Sequence, residues 1–285
     1  MSAGDKFVMQ NKLNFSTKVR LNNGVEMPVL GLGTWQINSG KETEEAVLCA
    51  LKAGYRLIDT AQIYGNEASV GKALHKSGIP REEVFITTKL WNSDHGYKSA
   101  ITACEGSLKR LGLSYIDLYL IHWPVTRLRN ETWKAMETLL DEGKCRAIGV
   151  SNYTVRHLEE LLDGSLAIPA VNQVEFSPYL YQKDLLEFCC SHGIQLEAYS
   201  PLTRGLKLGD SKLVSMARKY HKNTAQILIR WVLQCGIVAI PKSSKEENIC
   251  DNANVFDFTI SPEDMRVLDS FNEDLRIGWD PSTVE

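Results

Sequence analysis

Three stretches of the sequence decide the fold: GYRLIDTAQIY at 54–64, VFITTKLW at 84–91 and IDLYLIHWP at 116–124. Each contains a short β-rich run that ends in a polar side chain, and a segment with helical spacing follows it. Strands that alternate with helices favour parallel pairing through right-handed crossovers. The number of such units then decides between an open sheet and a closed barrel.

The strand and helix unit recurs eight times in the 285 residues. Eight units at this length match a closed (β/α)8 barrel, or TIM barrel, better than an open α/β sheet. The predicted strands are 29–33, 56–59, 84–88, 116–121, 147–150, 170–174, 195–198 and 237–241. The predicted helices, in which apolar residues recur at spacings of three and four, are 43–53, 66–77, 98–111, 131–142, 154–162, 183–192, 211–219 with 224–234, and 246–253.

Two further elements lie outside the eight units. A β-hairpin is predicted over 18–29, turning at Asn22-Asn23-Gly24, and we expect it to cap the N-terminal mouth at the bottom of the barrel. An extra C-terminal helix is predicted over 262–270. The chain has no linker rich in Pro, Gly or Ser, so the sequence predicts a single domain over residues 1–285.

Composition narrows the classes of function. Apolar residues make up 44% of the chain, and the formal net charge of -3 arises from acidic and basic residues mixed along its whole length. Such a chain is expected to bind neither nucleic acid nor an anionic membrane. The N-terminal segment lacks the apolar run of a signal peptide, and no stretch has the length and hydropathy of a membrane span.

Cysteines and histidines are both dispersed. The seven cysteines are odd in number and form no C-x-x-C pair, which is typical of reduced thiols in a cytoplasmic protein. The six histidines are scattered and form no H-E-x-x-H pair, so no metal site is predicted.

Polar side chains stand where a barrel places its chemistry, at the carboxyl ends of strands. Asp59, Lys89 and His122 end three consecutive predicted strands, and Tyr64 lies in the loop after the first of them. Each has a simpler interpretation: a helix cap for Asp59, a solvated strand end for Lys89, a buried core histidine for His122 and packing for Tyr64. Their common register indicates instead that the four side chains meet in one pocket.

These motifs resemble those of the aldo-keto reductases, and the resemblance runs from Val19 to Trp279. It rests on MPVLGLGTW, GYRLIDTAQIYGNE, TTKLW, DLYLIHWP, IGVSNY, VNQVEFSPY, LEAYSPL, IPKSS and DNANVFDF. Within that family the chain is similar to the prostaglandin F synthase and 2,5-diketogluconate reductase branches. The resemblance implies an NADPH-dependent enzyme that reduces aldehydes and ketones to alcohols.

The resemblance also implies a catalytic tetrad of Asp59, Tyr64, Lys89 and His122. A phenol with an ordinary pKa near ~10 is a poor acid at neutral pH unless its phenolate is stabilised. Lys89 is expected to provide that stabilisation, with Asp59 holding the ammonium in place. His122 is expected to orient the substrate carbonyl, and Tyr64 to protonate its oxygen.

The cofactor site is implied by the resemblance as well, because Gly31-Leu32-Gly33-Thr34-Trp35-Gln36 lacks the third glycine of a Rossmann fingerprint. Family positions around the nicotinamide and pyrophosphate are matched by Ser151, Asn152, Gln173, Tyr199, Ser200, Leu202, Gly205, Thr34 and Trp35. Lys242 and Ser243 match the positions that bind the 2′-phosphate, and Asp251 and Asn252 match those that contact adenine.

One position departs from the family pattern. Asn248 stands where many members carry an arginine that pairs with the 2′-phosphate and packs on adenine. Asn cannot replace that charge, so the preference for NADPH over NADH is expected to be weaker than usual. Ser244 or Lys245 could compensate for the missing arginine.

The substrate site is expected to be apolar, since Trp35, Trp91, Trp123 and Trp279 fall on loops at one mouth beside His122. Only a short tail follows Trp279, which favours an open pocket for small or medium aldehydes, dicarbonyls, quinones or ketones. Two alternatives stay open at this stage: a Schiff-base aldolase that uses Lys89, and a non-catalytic relative that binds NADPH. A monomer is the expected state.

Overall fold

The computed structural model describes residues 13–284, and its chain begins with the predicted hairpin. Strand β1 (Lys18–Arg20) pairs antiparallel with β2 (Glu26–Pro28). Eight parallel strands follow, each hydrogen-bonded to its neighbours in chain order. They are β3 (Leu32–Gly33), β4 (Leu57–Asp59), β5 (Phe85–Leu90), β6 (Ile116–Ile121), β7 (Cys145–Ser151), β8 (Val171–Glu175), β9 (Gln195–Tyr199) and β10 (Val238–Ala239).

One helix, or a pair of helices after β9, follows each barrel strand. The helices are α1 (Lys41–Lys52), α2 (Glu67–Ser77), α3 (Tyr97–Leu111), α4 (Arg129–Asp141), α5 (Val155–Leu162), α6 (Lys183–Ser191), α7 (Ser211–Lys219), α8 (Thr224–Gln234), α9 (Glu246–Ala253) and, after the last unit, α10 (Pro262–Asp269). Local sequence fixes some of these boundaries, as at the start of α8. The Asn223 side-chain oxygen accepts from the backbone amide of Gln226 at 2.8 Å, and the Gln226 side-chain oxygen accepts from the backbone amide of Asn223 at 3.0 Å.

The sheet closes on itself between its first and last strands. Isolated parallel bridges join Leu30 to Ala239 and Gly33 to Lys242, and the amide of Gly31 donates to the Ala239 carbonyl at 2.9 Å. The (β/α)8 barrel prediction is therefore confirmed. Strands β3 and β10 are shorter than the predicted 29–33 and 237–241, because the seam between them consists of separate bridges and not of a continuous ladder.

The hairpin covers the bottom of the barrel, as predicted. Val19 and Met27 are buried, and the turn residues hold the strand starts of the barrel. The Asn22 side chain donates to the Pro169 carbonyl at 3.1 Å, and the Asn23 side chain donates to the Arg146 carbonyl at 2.9 Å. Gly24 has a φ of 87°, a conformation that glycine adopts without strain.

Among the described residues, the longest helix has 15 residues, and none combines the length and apolar character needed to cross a membrane. All seven cysteines are free thiols. The predictions made for the N-terminal segment fall mainly on residues 1–12, which lie outside the described range.

Candidate active site

Three adjacent barrel strands bring the predicted tetrad to the upper mouth of the barrel. Asp59 ends β4, Lys89 lies one residue before the end of β5, and His122 directly follows β6. Their register is set by parallel strand pairing, in which Asp59 is the partner of Thr87 on β5 and Lys89 is the partner of Leu120 on β6. The structure thus places all three on the face at which barrels carry their chemistry.

Tyr64 reaches the same place from the loop after β4, where 62–64 form a single 3-10 turn. Buried Asn66 fixes this loop: its amide accepts from the Thr60 hydroxyl at 2.7 Å and donates to the carbonyls of Thr34 and Ile37 at 3.0 and 3.2 Å. A loop held in this way needs little further ordering when it takes part in a reaction.

Lys89 is the centre of the arrangement, and its side chain is fully buried. Its ammonium donates to both carboxylate oxygens of Asp59, at 2.7 and 2.8 Å, and to the Thr60 carbonyl at 3.0 Å. The Tyr64 hydroxyl lies 3.4 Å from the same ammonium. A buried cation with this set of partners is held in one position.

The pKa values of these groups follow from burial and from their neighbours. Burial acts to lower the pKa of Lys89, but the Asp59 carboxylate, together with Tyr64 and Glu197, raises that pKa above its ordinary value. The pKa of Tyr64 is raised by burial, and Lys89 offsets part of the rise. Lys89 was expected to lower the pKa of Tyr64, but the effect of burial is larger, so the phenol keeps its proton at neutral pH.

His122 completes the group. Its ring lies edge-on to Tyr64, with ring centroids 5.7 Å apart, and edge-on to Trp91 at 5.2 Å. Burial, and then Lys89, hold the pKa of His122 well below its ordinary value. The imidazole is therefore neutral at physiological pH and can donate one hydrogen bond.

A second network of predicted residues adjoins the tetrad. Asn152, which has a left-handed φ of 63°, donates to the His122 carbonyl and to the Ser151 hydroxyl, both at 3.0 Å. The Tyr199 hydroxyl donates to the Asn152 side-chain oxygen at 2.8 Å. The side-chain nitrogen of Gln173 donates to the Asp59 carboxylate at 2.8 Å. The amide oxygen of Gln173 has no hydrogen-bond partner within the described residues and is free to accept one.

The loop after β9 carries three other predicted cofactor residues, Ser200, Leu202 and Gly205. This loop approaches the loop after β3, because the Arg204 guanidinium lies 4.3 Å from the centre of the Trp35 ring. Thr34, in contrast, is fully buried and donates to the Asp59 carbonyl at 2.9 Å. Its hydroxyl supports β4, and no cofactor contact of Thr34 follows from the geometry.

The adenosine end of the predicted site follows β10. Lys242, Asn248 and Asp251 are exposed, Ser244 is partly exposed, and Ser243 and Asn252 are buried. Sequence reasoning missed one residue here, because it comes from α1 across the barrel seam. The Glu42 carboxylate accepts from Asn38 at 2.6 Å, and hydrogen bonds from Asn38 and Ser244, with the charge of Lys242, lower its pKa.

Three of the four predicted tryptophans meet above the tetrad. The Trp279 ring lies 5.4 Å from that of Trp123 and 6.5 Å from that of Trp91. Trp279 is 66% exposed, so it forms the outer wall of the mouth. Trp35 lies apart from this cluster, against Arg204.

The tail that carries Trp279 is held by a residue that sequence reasoning missed. Buried Glu175, at the end of β8, accepts from the amides of Ile277 and Gly278 at 2.8 and 2.9 Å. Nothing in the local sequence of β8 reveals this contact, because its partners are more than 100 residues away. Within residues 13–284 no group of three or more His, Cys, Asp or Glu side chains is arranged to hold a metal ion.

Comparison with known proteins agrees with this geometry. The model of the aldo/keto reductase family matches residues 29–273, which include the tetrad and most of the barrel. The chain belongs to the aldo/keto reductase family. It is 53% identical over 266 residues to glyoxal reductase of Bacillus subtilis (strain 168), covering 93% of this chain and 96% of that one.

Two further similar proteins are informative. The chain is 52% identical over 266 residues to 9,11-endoperoxide prostaglandin H2 reductase of Trypanosoma cruzi (strain CL Brener), covering 92% of this chain and 94% of that one. A variant of Gox0644 in complex with NADPH has a TM-score of 0.89 and 40% identity, covering 94% of this chain and 98% of that one. This aldo-keto reductase is accordingly an NADPH-dependent oxidoreductase that acts on carbonyl compounds.

The residues of this aldo-keto reductase fit a nicotinamide cofactor. The free amide oxygen of Gln173 suits a carboxamide N–H, and the partly exposed Tyr199 ring offers an aromatic face at the mouth. Exposed Lys242 provides a cation for a phosphate. These three positions are spaced along one side of the barrel, on β8, on β9 and after β10.

Proposed function

We propose that this aldo-keto reductase reduces small or medium aldehydes and dicarbonyls, together with quinones or ketones of similar size, and that Tyr64 protonates the substrate oxygen. The observation that carries the proposal is the Asp59–Lys89–Tyr64 chain of contacts beside His122 at the barrel mouth. A nicotinamide cofactor, when bound, would supply a hydride to the carbonyl carbon. The chain's own residues handle the proton.

In this proposal Tyr64 gives up a proton that its raised pKa keeps in place at neutral pH. The phenolate that remains is stabilised by the Lys89 ammonium, 3.4 Å away. Asp59 keeps Lys89 charged and fixed, so the stabilising charge needs no reorganisation during the reaction. His122 donates its N–H to the carbonyl oxygen and orients the substrate.

The cofactor is proposed to lie across the mouth from the tetrad towards α9. Ser151, Asn152 and Gln173 would bind the carboxamide, Tyr199 would stack on the ring, and the loop of Ser200, Leu202 and Gly205 would close over the pyrophosphate with Trp35. Lys242, Ser243 and Ser244 would bind the 2′-phosphate, with Asn248, Asp251 and Asn252 near the adenine.

The substrate class rests on the tryptophan walls. Trp91, Trp123 and Trp279 form an apolar slot above His122, which suits a small carbonyl compound or a flat aromatic one. The glyoxal reductase of Bacillus subtilis, by its name, acts on a dicarbonyl, which supports the same choice here.

The Schiff-base alternative is disfavoured by the state of Lys89. A nucleophilic amine must be neutral, whereas the buried ion pair with Asp59 raises the pKa of Lys89. Borohydride in the presence of an aldehyde should therefore leave no covalent adduct at this residue.

The chain is further proposed to act as a single-domain monomer in the cytoplasm. The mixture of acidic and basic residues along the chain and the free thiols support this assignment. Light scattering is expected to give a mass near 32.0 kDa.

The proposed function is tested by a titration of the protein with NADPH, followed through tryptophan fluorescence, and then by addition of glyoxal or an aromatic aldehyde. Quenching should precede an aldehyde-dependent loss of absorbance at the nicotinamide band. Quenching without oxidation of NADPH by any aldehyde, dicarbonyl, quinone or ketone tried would contradict the proposal.

A further inference from the structure

Another buried carboxyl group lies on the strand that carries Tyr199. Glu197 is on β9, in register with Gln173 of β8 and with Val238 of β10. Its side chain is fully buried. The steps proposed for the tetrad do not use it, and a buried acidic side chain without a role is uncommon because burial is costly.

Glu197 is connected to the tetrad through one amide group. The Gln173 side-chain nitrogen donates to Oε2 of Glu197 at 2.7 Å and to Oδ2 of Asp59 at 2.8 Å. Both protons of that nitrogen are therefore used. The chain of contacts runs from Tyr64 through Lys89, Asp59 and Gln173 to Glu197.

The other oxygen of Glu197, Oε1, is buried and has no hydrogen-bond partner within the described residues. A buried carboxylate with a single hydrogen bond is costly, so the neutral acid is favoured. Burial, and then the negative charge of Asp59, raise the pKa of Glu197 to about 8, while Gln173 and Lys89 oppose the rise. The group therefore carries a proton at neutral pH and ionises in mildly alkaline solution.

We propose that Glu197 is a positioning residue of the reductase site, which fixes the orientation of the Gln173 amide and, by its ionisation, keeps Tyr64 protonated in alkaline solution. This inference rests on the proposed function. It assigns two separable effects to one side chain: a hydrogen-bond acceptor for Gln173, and a charge that acts on the catalytic pair.

The acceptor effect concerns the cofactor. With both protons of the Gln173 nitrogen bound, its amide oxygen is the atom left to accept a hydrogen bond from the carboxamide. Without an acceptor at position 197, one proton of that nitrogen would lose its partner, and the amide could rotate. NADPH would then lose a hydrogen bond.

The charge effect concerns the proton donor. The groups around Glu197 are Asp59 on β4, Lys89 on β5 and the neutral Gln173 on β8, whereas β10 contributes the apolar Val238. Ionised Glu197 raises the pKa of Tyr64 and that of Lys89. When the pH exceeds about 8, ionisation of Glu197 should thus delay the loss of the Tyr64 proton.

The test compares two substitutions in the full chain. Glu197→Gln keeps the shape and the acceptor oxygen but cannot ionise. We expect unchanged NADPH affinity by fluorescence, and an alkaline limb of kcat/KM for aldehyde reduction shifted to lower pH by about half a unit or more. Glu197→Met removes the acceptor as well, and we expect its NADPH dissociation constant to rise several-fold.

The control is Glu187→Gln, on the exposed surface of α6, which should leave both readouts unchanged. Superimposable pH profiles of wild type and Glu197→Gln, with Tyr64→Phe inactive, would overturn this inference and leave the proposed function intact. A Tyr64→Phe variant as active as wild type would overturn both. Should Glu197→Met fail to fold, the near-isosteric Glu197→Gln still decides the charge effect.

Discussion

Single side chains in this protein owe their chemistry to burial. Lys89 is held by Asp59, Thr60 and Tyr64 in a space that excludes water, so its charge acts on the Tyr64 hydroxyl with little screening. The register of the strands predicted that Asp59, Lys89 and His122 meet at one mouth, because a residue at the carboxyl end of a barrel strand must face it. The catalytic roles of these residues were implied by the family resemblance. The sequence could not predict the balance of burial against charge, since that depends on packing from many segments.

A buried histidine outside the tetrad gives a prediction for stability. Burial, as the largest cause, lowers the pKa of His95 from 6.5 to about 4. Between these values the unfolded chain binds a proton that the folded chain does not, so the free energy of unfolding falls as the pH falls through this window. In the His95→Gln variant, we expect the free energy of unfolding to fall over this window by up to about 3 kcal/mol less than in wild type.

Urea unfolding at pH 7 and at pH 4.5 measures the effect. His122, whose pKa is also lowered, contributes in the same direction in wild type and variant alike. The control is His75→Gln on the exposed face of α2. An equal loss of stability on acidification in wild type and His95→Gln would be evidence against this assignment.

Contacts between helices, strands and loops that are distant in the sequence bring further residues to the site, and the sequence motifs do not identify these residues. Asp59, Lys89 and His122 could be recognised because each lies at the end of its own strand. Glu42, Glu175 and Glu197 could not, because each acts on a partner from another strand, loop or tail. The barrel seam brings α1 beside the loop after β10, which no local sequence pattern indicates.

Glu42 is expected to limit the preference for NADPH. Its carboxylate interacts with Ser244 and Lys242, the residues proposed to bind the 2′-phosphate, and it repels a second negative charge. Glu42→Gln should raise the ratio of kcat/KM with NADPH to kcat/KM with NADH several-fold. The matched control is Glu45→Gln, exposed on the same helix and paired with Lys41. A ratio that falls or stays constant in Glu42→Gln would refute this role.

The C-terminal tail is expected to govern substrate binding. Glu175 holds the amides of Ile277 and Gly278, and the His157 ring lies 2.9 Å from the Val284 carbonyl, so the tail is fixed on both sides of Trp279. Glu175→Ala releases the first anchor. We expect KM for an aromatic aldehyde to rise several-fold with kcat changed less, because the lost contact binds ground state and transition state alike.

Trp279→Ala provides the comparison for that variant, since it removes the indole ring at the mouth and leaves the hydrogen bonds of the tail to Glu175 in place. The two substitutions should change KM in the same direction for steady-state reduction at saturating NADPH. A fall in kcat at constant KM in Glu175→Ala would instead indicate damage to the tetrad.

For the whole molecule, the alternation of eight strands with helices was sufficient to predict the closed barrel, and the turn at Asn22-Asn23-Gly24 predicted the hairpin beneath it. The least accurate strand boundaries are at the seam, where β3 and β10 meet through single bridges and the periodic signal extends beyond the hydrogen-bonded residues. The barrel then explains the site, because closure brings β4–β6 and β7–β9 around one mouth. The tetrad and the residues proposed to bind the nicotinamide come together there from six strands.

The most direct test of the proposed chemistry is the turnover of Tyr64→Phe with NADPH and an aldehyde, measured beside its NADPH affinity. The phenyl ring preserves the packing against His122 but has no proton to donate. We expect NADPH affinity close to that of wild type and a rate reduced by about a hundredfold or more. A variant that binds NADPH and retains more than a few per cent, roughly, of the wild-type rate would contradict the assignment of Tyr64 as the proton donor.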